Sequence, residues 1–381
     1  MTKYLWLCHS GGGNLPPSLG VARELRDRGH EVAFLLKPES VGRVEAEGLR
    51  AIPLEDAYTR LDAYPPMGPI TPTACMLTSP DVTAEIERVV AAEVPDALMI
   101  DAMFPAALSV SAGFGLPTTV FCHTFLWRQI DAWQGIFDKL SAMRAKAGFE
   151  PLPDMRTLWM AQDRMIVTSV AALDDAPLPG WDHVRHVGPV LDNEARATDA
   201  ELPWPEDDQT PIVLLSFTTT ELAGADKFQT ALDALADLPV HVMATTGGAF
   251  ELNEITAPAN AHVVSYADHE PVLKRAALTV THGGHGTMMR ALKHGVPMVV
   301  IPGFPHDQVP NAAAIRKWGA GIALPGDADA AAIRAAAQEI LADPAYRAEA
   351  RACAETVAAL DGARAAADEI EAVAITHAPA A

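Results

Sequence analysis

The residues from Thr281 to Ala312, THGGHGTMMRALKHGVPMVVIPGFPHDQVPNA, restrict this chain more than any other part, because a glycine-rich turn there joins a strand pattern to a helical one. The run from Ala277 to Val280 reads as a buried strand. His282-Gly283-Gly284-His285-Gly286-Thr287 then passes directly into Met288, Ala291 and Leu292 at helical spacing. Glycine lets the backbone approach an anion closely, and the first-turn N–H groups of a helix are unpaired and carry the positive end of its dipole. Thr287 adds a hydroxyl donor and His282 an imidazole. Turns and close helix–strand packing also require glycine, so the turn alone leaves a structural and an anion-binding reading open. The residues downstream narrow the choice. Gly295-Val296-Pro297 stops the helix, Met298 to Ile301 is an all-apolar run suited to a strand buried on both faces, and Pro302 opens a polar loop with His306, Asp307, Gln308 and Asn311. These pieces form one βαβ unit whose loops fall at the carboxyl ends of parallel strands, where open α/β sheets bind ligands.

The pattern H-G-G-x-G-T, then A-L-x-x-G-V-P, then Pro302, then Asp307-Gln308 and Asn311, resembles the nucleotide-sugar signature of family 1 glycosyltransferases, the UDP- or TDP-sugar-dependent enzymes, of the bacterial natural-product and macrolide type. Upstream, Tyr266-Ala267-Asp268-His269-Glu270-Pro271-Val272-Leu273 is similar to the family segment whose aromatic residue stacks on the nucleotide base. Gly11-Gly12-Gly13-Asn14-Leu15-Pro16-Pro17-Ser18-Leu19 resembles the family's first strand-to-helix loop, and Arg185-His186-Val187-Gly188-Pro189 the segment before its interdomain linker. The resemblance implies an α/β chain of the GT-B fold, two Rossmann-like parallel-sheet domains facing each other across a cleft. It implies an acceptor-binding domain over 1–195, a linker over 196–211, a donor-binding domain over 212–360, and a final helix over 361–381 crossing back to the first domain.

Length and charge agree. At 381 residues the chain suits two α/β domains better than one core. A net charge of -21 and a pI near 4.9 repel nucleic acid and anionic membranes, so a diphosphate has to be held locally, by helix termini and histidines. No apolar run approaches the roughly 18 residues needed to span a bilayer, and Met1 to Gly13 lacks a cleavage-site pattern, so a soluble, cytoplasmic chain without stable membrane insertion is expected. Cys8, Cys75, Cys122 and Cys353 lack metal-ligand spacing and read as reduced thiols.

Elsewhere the periodicity alternates strand and helix. Tyr4 to Cys8, Glu31 to Leu36, Ala97 to Ile100 and Thr118 to Cys122 read as strands, with helices over Ser18 to Arg28 and Phe104 to Gly113. Prolines at 65, 66, 69, 72 and 80 mark Tyr58 to Pro80 as a long loop. Phe125 to Met165 is rich in large apolar residues, which core helices packed on a sheet would account for. The second domain restarts with the strand Ile212 to Ser216, a Thr218-Thr219-Thr220 turn, the Lys227 to Asp237 helix and the strand Val240 to Thr245. Ala328 to Ala342 and Ala345 to Ala374 are alanine-rich and helix-forming.

Roles follow residue by residue from the resemblance. Ser216, Thr218, Tyr266, Ala267, His282, Gly284, His285, Gly286, Thr287, Asp307 and Gln308 correspond to donor-binding positions, with Asp307 and Gln308 matching the pair that hydrogen-bonds the sugar hydroxyls. Phe125, Trp127 and Trp133 fall in the region that lines the acceptor pocket, where aromatics suit a flat, lipophilic molecule. No Asp-x-Asp pair stands near the diphosphate turn, so no metal and no cofactor beyond the UDP- or TDP-sugar co-substrate are expected. Two positions depart from the family. Arg290 replaces a glutamate that accepts from the ribose hydroxyls, and arginine has no acceptor. Asn14 stands where the family carries its catalytic histidine, while the partner aspartate is kept as Asp101. Asp101, His123 and His9, in that order, are the candidates to take the acceptor's proton, and an acceptor that ionises readily, a phenol or thiol, needs a weaker base. His30, His241, His294 and His377 read as surface or cap residues; His285 and His306 lie near the diphosphate loop.

The reading that follows is an inverting, metal-independent transfer of a hexose, glucose from the Asp307–Gln308 pair, to an apolar phenolic or polyketide-like molecule. The alternative is a nucleotide-sugar-binding homologue that no longer transfers. A GT-B epimerase would need no apolar acceptor region.

Overall fold

A computed structural model describes residues 1–10, 13–56, 78–146, 150–191, 202–217, 224–303 and 307–376. Residues 58–77 of the expected long loop, residues 196–201 of the expected linker, and Gly11, Gly12, Cys75, Phe149, Thr218, His306 and His377 lie outside the described residues, while Pro80 opens a helix. The chain divides into two compact units, Met1–Ala195 together with Asp361–Ala381, and Arg196–Leu360.

The first unit holds strands β1 (Lys3–Leu7), β2 (Glu31–Leu36), β3 (Arg50–Pro53), β4 (Ala97–Asp101), β5 (Thr118–Cys122), β6 (Arg164–Val167) and β7 (Val184–His186). All pair in parallel, in the order β3-β2-β1-β4-β5-β6-β7. Its helices up to residue 195 are α1 (Leu15–Asp27), α2 (Val41–Ala46), α3 (Pro80–Glu93), α4 (Pro105–Val110), α5 (Ile130–Lys146) and α6 (Met155–Met160). The second unit holds β8 (Ile212–Ser216), β9 (His241–Thr245), β10 (Ala261–Val264), β11 (Ala276–Thr281), β12 (Met298–Val300) and β13 (Gly321–Ala323), again all parallel, in the order β10-β9-β8-β11-β12-β13. Around it stand α7 (Ala225–Leu235), α8 (His269–Arg275), α9 (His285–Lys293), α10 (Gln308–Lys317), α11 (Ala330–Ala342) and α12 (Pro344–Ala358), and the first unit is completed by α13 (Gly362–Thr376). Each sheet therefore runs outward from its first strand and reverses beside its fourth, which is the doubly wound order that opens a ligand crevice at the reversal.

Alternation of side chains across the first sheet explains why its central strands are apolar throughout. Leu5, Leu7, Leu35, Leu98 and Ile100 face one core with Ile86 of α3 and Ala106 of α4, while Tyr4, Trp6, Phe34, Leu36 and Met99 face a second core with Leu19 and Leu25 of α1 and Ile370 of α13. In the second unit, Val213, Leu215, Val242 and Ala244 pack against Phe228 and Leu232 of α7 and Ile333 and Ile340 of α11.

Three elements differ from expectation. The first helix begins at Leu15 rather than Ser18, because Pro16 and Pro17 occupy first-turn positions whose N–H groups need no partner. The helix expected from Phe104 ends at Val110 and continues as a 3-10 turn over Ser111–Phe114. The alanine-rich stretch after Ala345 breaks at Leu360, where Asp361 Oδ1 accepts from Arg364 N at 3.2 Å and α13 starts afresh. Gly362 makes that start possible: a Cβ there would lie 2.5 Å from the Gly188 carbonyl oxygen and 2.6 Å from that of Pro189. Arg28, which caps the end of α1, donates to Asp368 at 2.7 Å and Glu371 at 2.8 Å, fastening α13 to the first unit. Among the described residues no helix is long and apolar enough to cross a membrane.

Candidate functional site

Each unit gathers polar residues at the carboxyl ends of its central strands. In the first unit, β1 leads into His9, β4 ends at Asp101, and β5 leads into His123. Asn14 follows β1 at the N-cap of α1, where an asparagine side chain ordinarily accepts from the second or third helical N–H. Both of those residues are proline here, so there is no hydrogen to accept. The carboxamide turns to Asp101 instead: Asn14 Nδ2 donates to Asp101 Oδ2 at 3.0 Å and lies 3.4 Å from His9 Nδ1.

That geometry settles two protonation questions. A carboxylate only accepts, so the Asn14 atom facing it is the amide nitrogen, and His9 Nδ1 next to the same nitrogen must be the bare ring nitrogen. His9 therefore carries its hydrogen on Nε2. Asp101 accepts from Met103 N at 2.8 Å through its other oxygen and is 1% exposed. His123 is partly exposed, and its Nδ1 is buried with no hydrogen-bond partner, leaving Nε2 as the atom that can be reached. Burial pushes the His9 imidazole down to about 4 and lowers His123 as well, so both rings are neutral near pH 7, although Asp101 favours the charged form of each.

The aromatic residues after His123 are packed more deeply than expected. Phe125 is 0% exposed, with the Arg128 guanidinium 5.9 Å from its ring centre. Trp127 and Trp133 are 8% and 7% exposed and belong to the core, Trp127 meeting Trp181 edge-on at 5.5 Å. Asp174 holds this loop by accepting from Leu126 N at 2.9 Å, Arg128 N at 3.0 Å and His186 Nε2 at 3.1 Å. Burial would raise that carboxyl, but the His186 and backbone donors more than offset it and hold it below the usual range.

In the second unit the glycine turn joins β11 to α9 as the spacing requires. Gly283 has φ +90, and a Cβ there would meet Val300 Cγ1 at 2.8 Å; a Cβ on Gly284 would meet His282 Nε2 at 2.6 Å. Both positions exclude side chains for different reasons, conformation in one and the imidazole in the other. Asn311, fully buried on α10, donates to the Gly283 carbonyl at 2.8 Å and so fixes the turn. The α9 amides of His285, Gly286 and Thr287 open the helix behind Gly284, its N-cap. Burial lowers His282 to about 4, outweighing a favourable contact with the Ser216 backbone, so the ring beside this turn is neutral. Its Nδ1 is buried without a hydrogen-bond partner.

Beside the turn, Thr245 Oγ1 donates to Ser216 Oγ at 3.1 Å and accepts from His269 Nε2 at 3.2 Å. Ser216 is thus a buried participant in a chain that begins on α8, and burial brings His269 down to about 4. Tyr266 is 43% exposed, and its hydroxyl occupies the space a Gly248 side chain would need, 2.5 Å from the Cβ position. Ala267 is partly exposed next to it. Asp307 is partly exposed at the start of α10, and burial raises its carboxyl to about 6. Gln308 Oε1 accepts from Gly303 N at 2.8 Å. The Arg290 guanidinium folds back over the first turn of α9, 3.3 Å from where a Gly286 Cβ would stand. Among the described residues no group of three or more His, Cys, Asp or Glu side chains could hold a metal ion.

The sequence singled out the turn, Tyr266 and the Asn14–Asp101 pair; it missed Thr245 and His269, whose roles rest on neighbours from different strands. Asn311 stood within the signature, but its grip on Gly283 needs the fold to be seen.

Residues 229–373 match the family described as Erythromycin biosynthesis protein CIII-like, C-terminal domain. The chain is 24% identical over 378 residues to the NDP-glycosyltransferase YjiC of Bacillus licheniformis, covering 94% of each chain. It is 26% identical over 365 residues to the demethyllactenocin mycarosyltransferase of Streptomyces fradiae, covering 88% of this chain and 78% of that one. Among solved structures, the calicheamicin glycosyltransferase CalG4 superposes with a TM-score of 0.77 at 23% identity, covering 99% of this chain and 100% of that one.

Proposed function

For a homologue of natural-product glycosyltransferases, with a CIII-like carboxyl-terminal domain and the GT-B fold, we propose an inverting transfer of a hexose from a nucleoside diphosphate to a lipophilic hydroxylated acceptor. The observation that carries it is the turn from His282 to Thr287, where two side-chain-free positions, a helix start and a neutral imidazole converge. The second unit takes the donor. The diphosphate lies against the α9 amides, Tyr266 stacks on the base, and the Asp307 carboxylate and Gln308 amide orient the sugar hydroxyls of a glucose-like hexose. Arg290 offers no acceptor to ribose hydroxyls, so a thymidine donor forfeits nothing against a uridine one.

The first unit takes the acceptor. Its oxygen forms the new bond to the anomeric carbon while the bond to the diphosphate breaks, the diphosphate leaves with the electron pair, and the proton passes to His123 Nε2. Asp101, held by Asn14 and Met103, stabilises the resulting imidazolium from behind. His9 presents an N–H and helps fix the acceptor rather than deprotonate it. No residue in this scheme requires a metal.

The test is mass spectrometry of the full chain with UDP-glucose or TDP-glucose and a panel of phenols, thiols and alcohols. Gain of one hexose by an acceptor supports the transfer; nucleotide-sugar binding with no product from either donor would identify a non-transferring homologue.

A further inference from the structure

The carboxyl edge of the first sheet carries one charged side chain that the transfer described above does not use. Lys37 follows the last residue of β2, and the β1–β2 register, Leu7 opposite Leu35, sets it beside His9. The next strand on the other side of β1 is β4, where Leu7 stands opposite Ile100 and the strand ends at Asp101. Four neighbouring strands therefore present Lys37, His9, Asp101 and His123 in a row. The backbone bends to shape this edge: Ser10 has φ +49, in the left-handed region, and its hydroxyl accepts from Lys37 N at 3.4 Å. A serine in that conformation is strained, and such strain gathers at functional sites.

Lys37 is partly buried, and among the described residues it forms no ion pair. Burial lowers its ammonium from the ordinary lysine range, while Glu39 and Cys8 act in the other direction. His9 feels Asp101 on one side and Lys37 on the other, which fits its place between them. In a protein of net charge -21, Lys37 has only the exposed Glu39 two residues on as a carboxylate acting on it, and with no ion pair among the described residues it leaves a site for an outside anion. Asp101, two strands away at about 10 Å, belongs to the opposite end of the row.

We propose that the acceptor is an aromatic hydroxy acid, its carboxylate held by Lys37 and its hydroxyl delivered to the Asp101–His123 end. This deepens the transferase reading and rests on it. The polarity of the row sets the orientation: the carboxylate lies at the Lys37 end and the hydroxyl at the His123 end, three strands or about 14 Å apart across the sheet, a span that the reach of the two side chains shortens to that of a single ring with a short unsaturated spacer.

The experiment compares 4-hydroxycinnamate with its methyl ester on the wild-type chain, Lys37→Gln and Lys37→Arg. The quantity read is the ratio of kcat/KM for acid over ester, together with equilibrium binding of both compounds by tryptophan fluorescence in the absence of donor. The expected result is wild-type preference for the acid in both measurements, a fall of that preference by tenfold or more in Lys37→Gln, and its retention in Lys37→Arg. Equal acid and ester binding by the wild type, or an unchanged ratio in Lys37→Gln, overturns the proposal. The binding arm keeps it separate from the transferase reading. Preferential binding of the acid that depends on Lys37, with no sugar transferred to any acceptor, would refute the transfer and leave the anion site standing.

Discussion

At the residue level, the carboxamide of Asn14 decides what its neighbours can do. By donating to Asp101 and facing His9 Nδ1, it takes His9 out of contention as a base and leaves His123. Replacement of His123 by Gln is expected to lower kcat on alcohol acceptors by about 100-fold or more, the ordinary worth of a general base, with KM for the donor unchanged. His9→Gln, by contrast, is expected to raise acceptor KM and spare kcat; steady-state kinetics on both variants would refute the assignment if His9→Gln proved the more damaging to kcat. Asp307 makes a second prediction at this scale. Its raised carboxyl titrates at about 6, and the ionised form accepts from sugar hydroxyls through both oxygens and more strongly than the protonated one. Donor KM is therefore flat above that pH and climbs by up to about tenfold per unit below it. Asp307→Asn should weaken donor binding at pH 7.5 and remove the dependence, as donor titrations at several pH values would reveal.

Among the elements, α13 has the most exacting seat. A Cβ on Gly362 would stand 2.5 and 2.6 Å from the Gly188 and Pro189 carbonyl oxygens, so Gly362→Ala forces the helix start away from that segment. Overpacking of this kind costs about 1–3 kcal/mol, which for a unit of this size lowers Tm by several degrees in a thermal melt. An unaltered melting temperature would show that the helix start yields freely. The elements also show what could be read without the fold. The glycine turn was legible because strand, turn and helix are contiguous, and the longer central strands because their apolar runs are unbroken. The short edge strands were not. Val184–His186 and Gly321–Ala323 contain three residues each, too few for any period, and acquire their state by pairing with a neighbour. The depth of Phe125, Trp127 and Trp133 was equally hidden, since an aromatic lining a pocket and one filling a core look alike until Asp174 pins the loop inward.

For the whole molecule, neutral buried imidazoles tie folding to pH. His9, His269 and His282 are each pushed by burial to about 4, whereas in the unfolded chain they protonate near their ordinary 6.5. Between those values the unfolded state binds more protons, so stability is fully present above about 6.5 and is lost as pH falls toward 4. Asp307 opposes this, because the folded state takes its proton near 6 and the unfolded one only near 3.8, but it is one group against three. Thermal melts are expected to show Tm falling steadily from pH 7 to pH 5, with a shallower fall in His269→Gln. A Tm independent of pH across that interval would contradict the neutral burial of these rings.

The return of α13 to the first unit also has a consequence for how the protein is made. Residues 361–376 leave the ribosome only after all of the second unit has been synthesised, yet Ile370 and Val373 are part of the first unit's interior. The unit begun first is finished last, and until then Leu19, Leu25 and Phe34 lack part of their cover. A nascent chain halted before residue 361 would expose this greasy seam to chaperones and to other copies of itself.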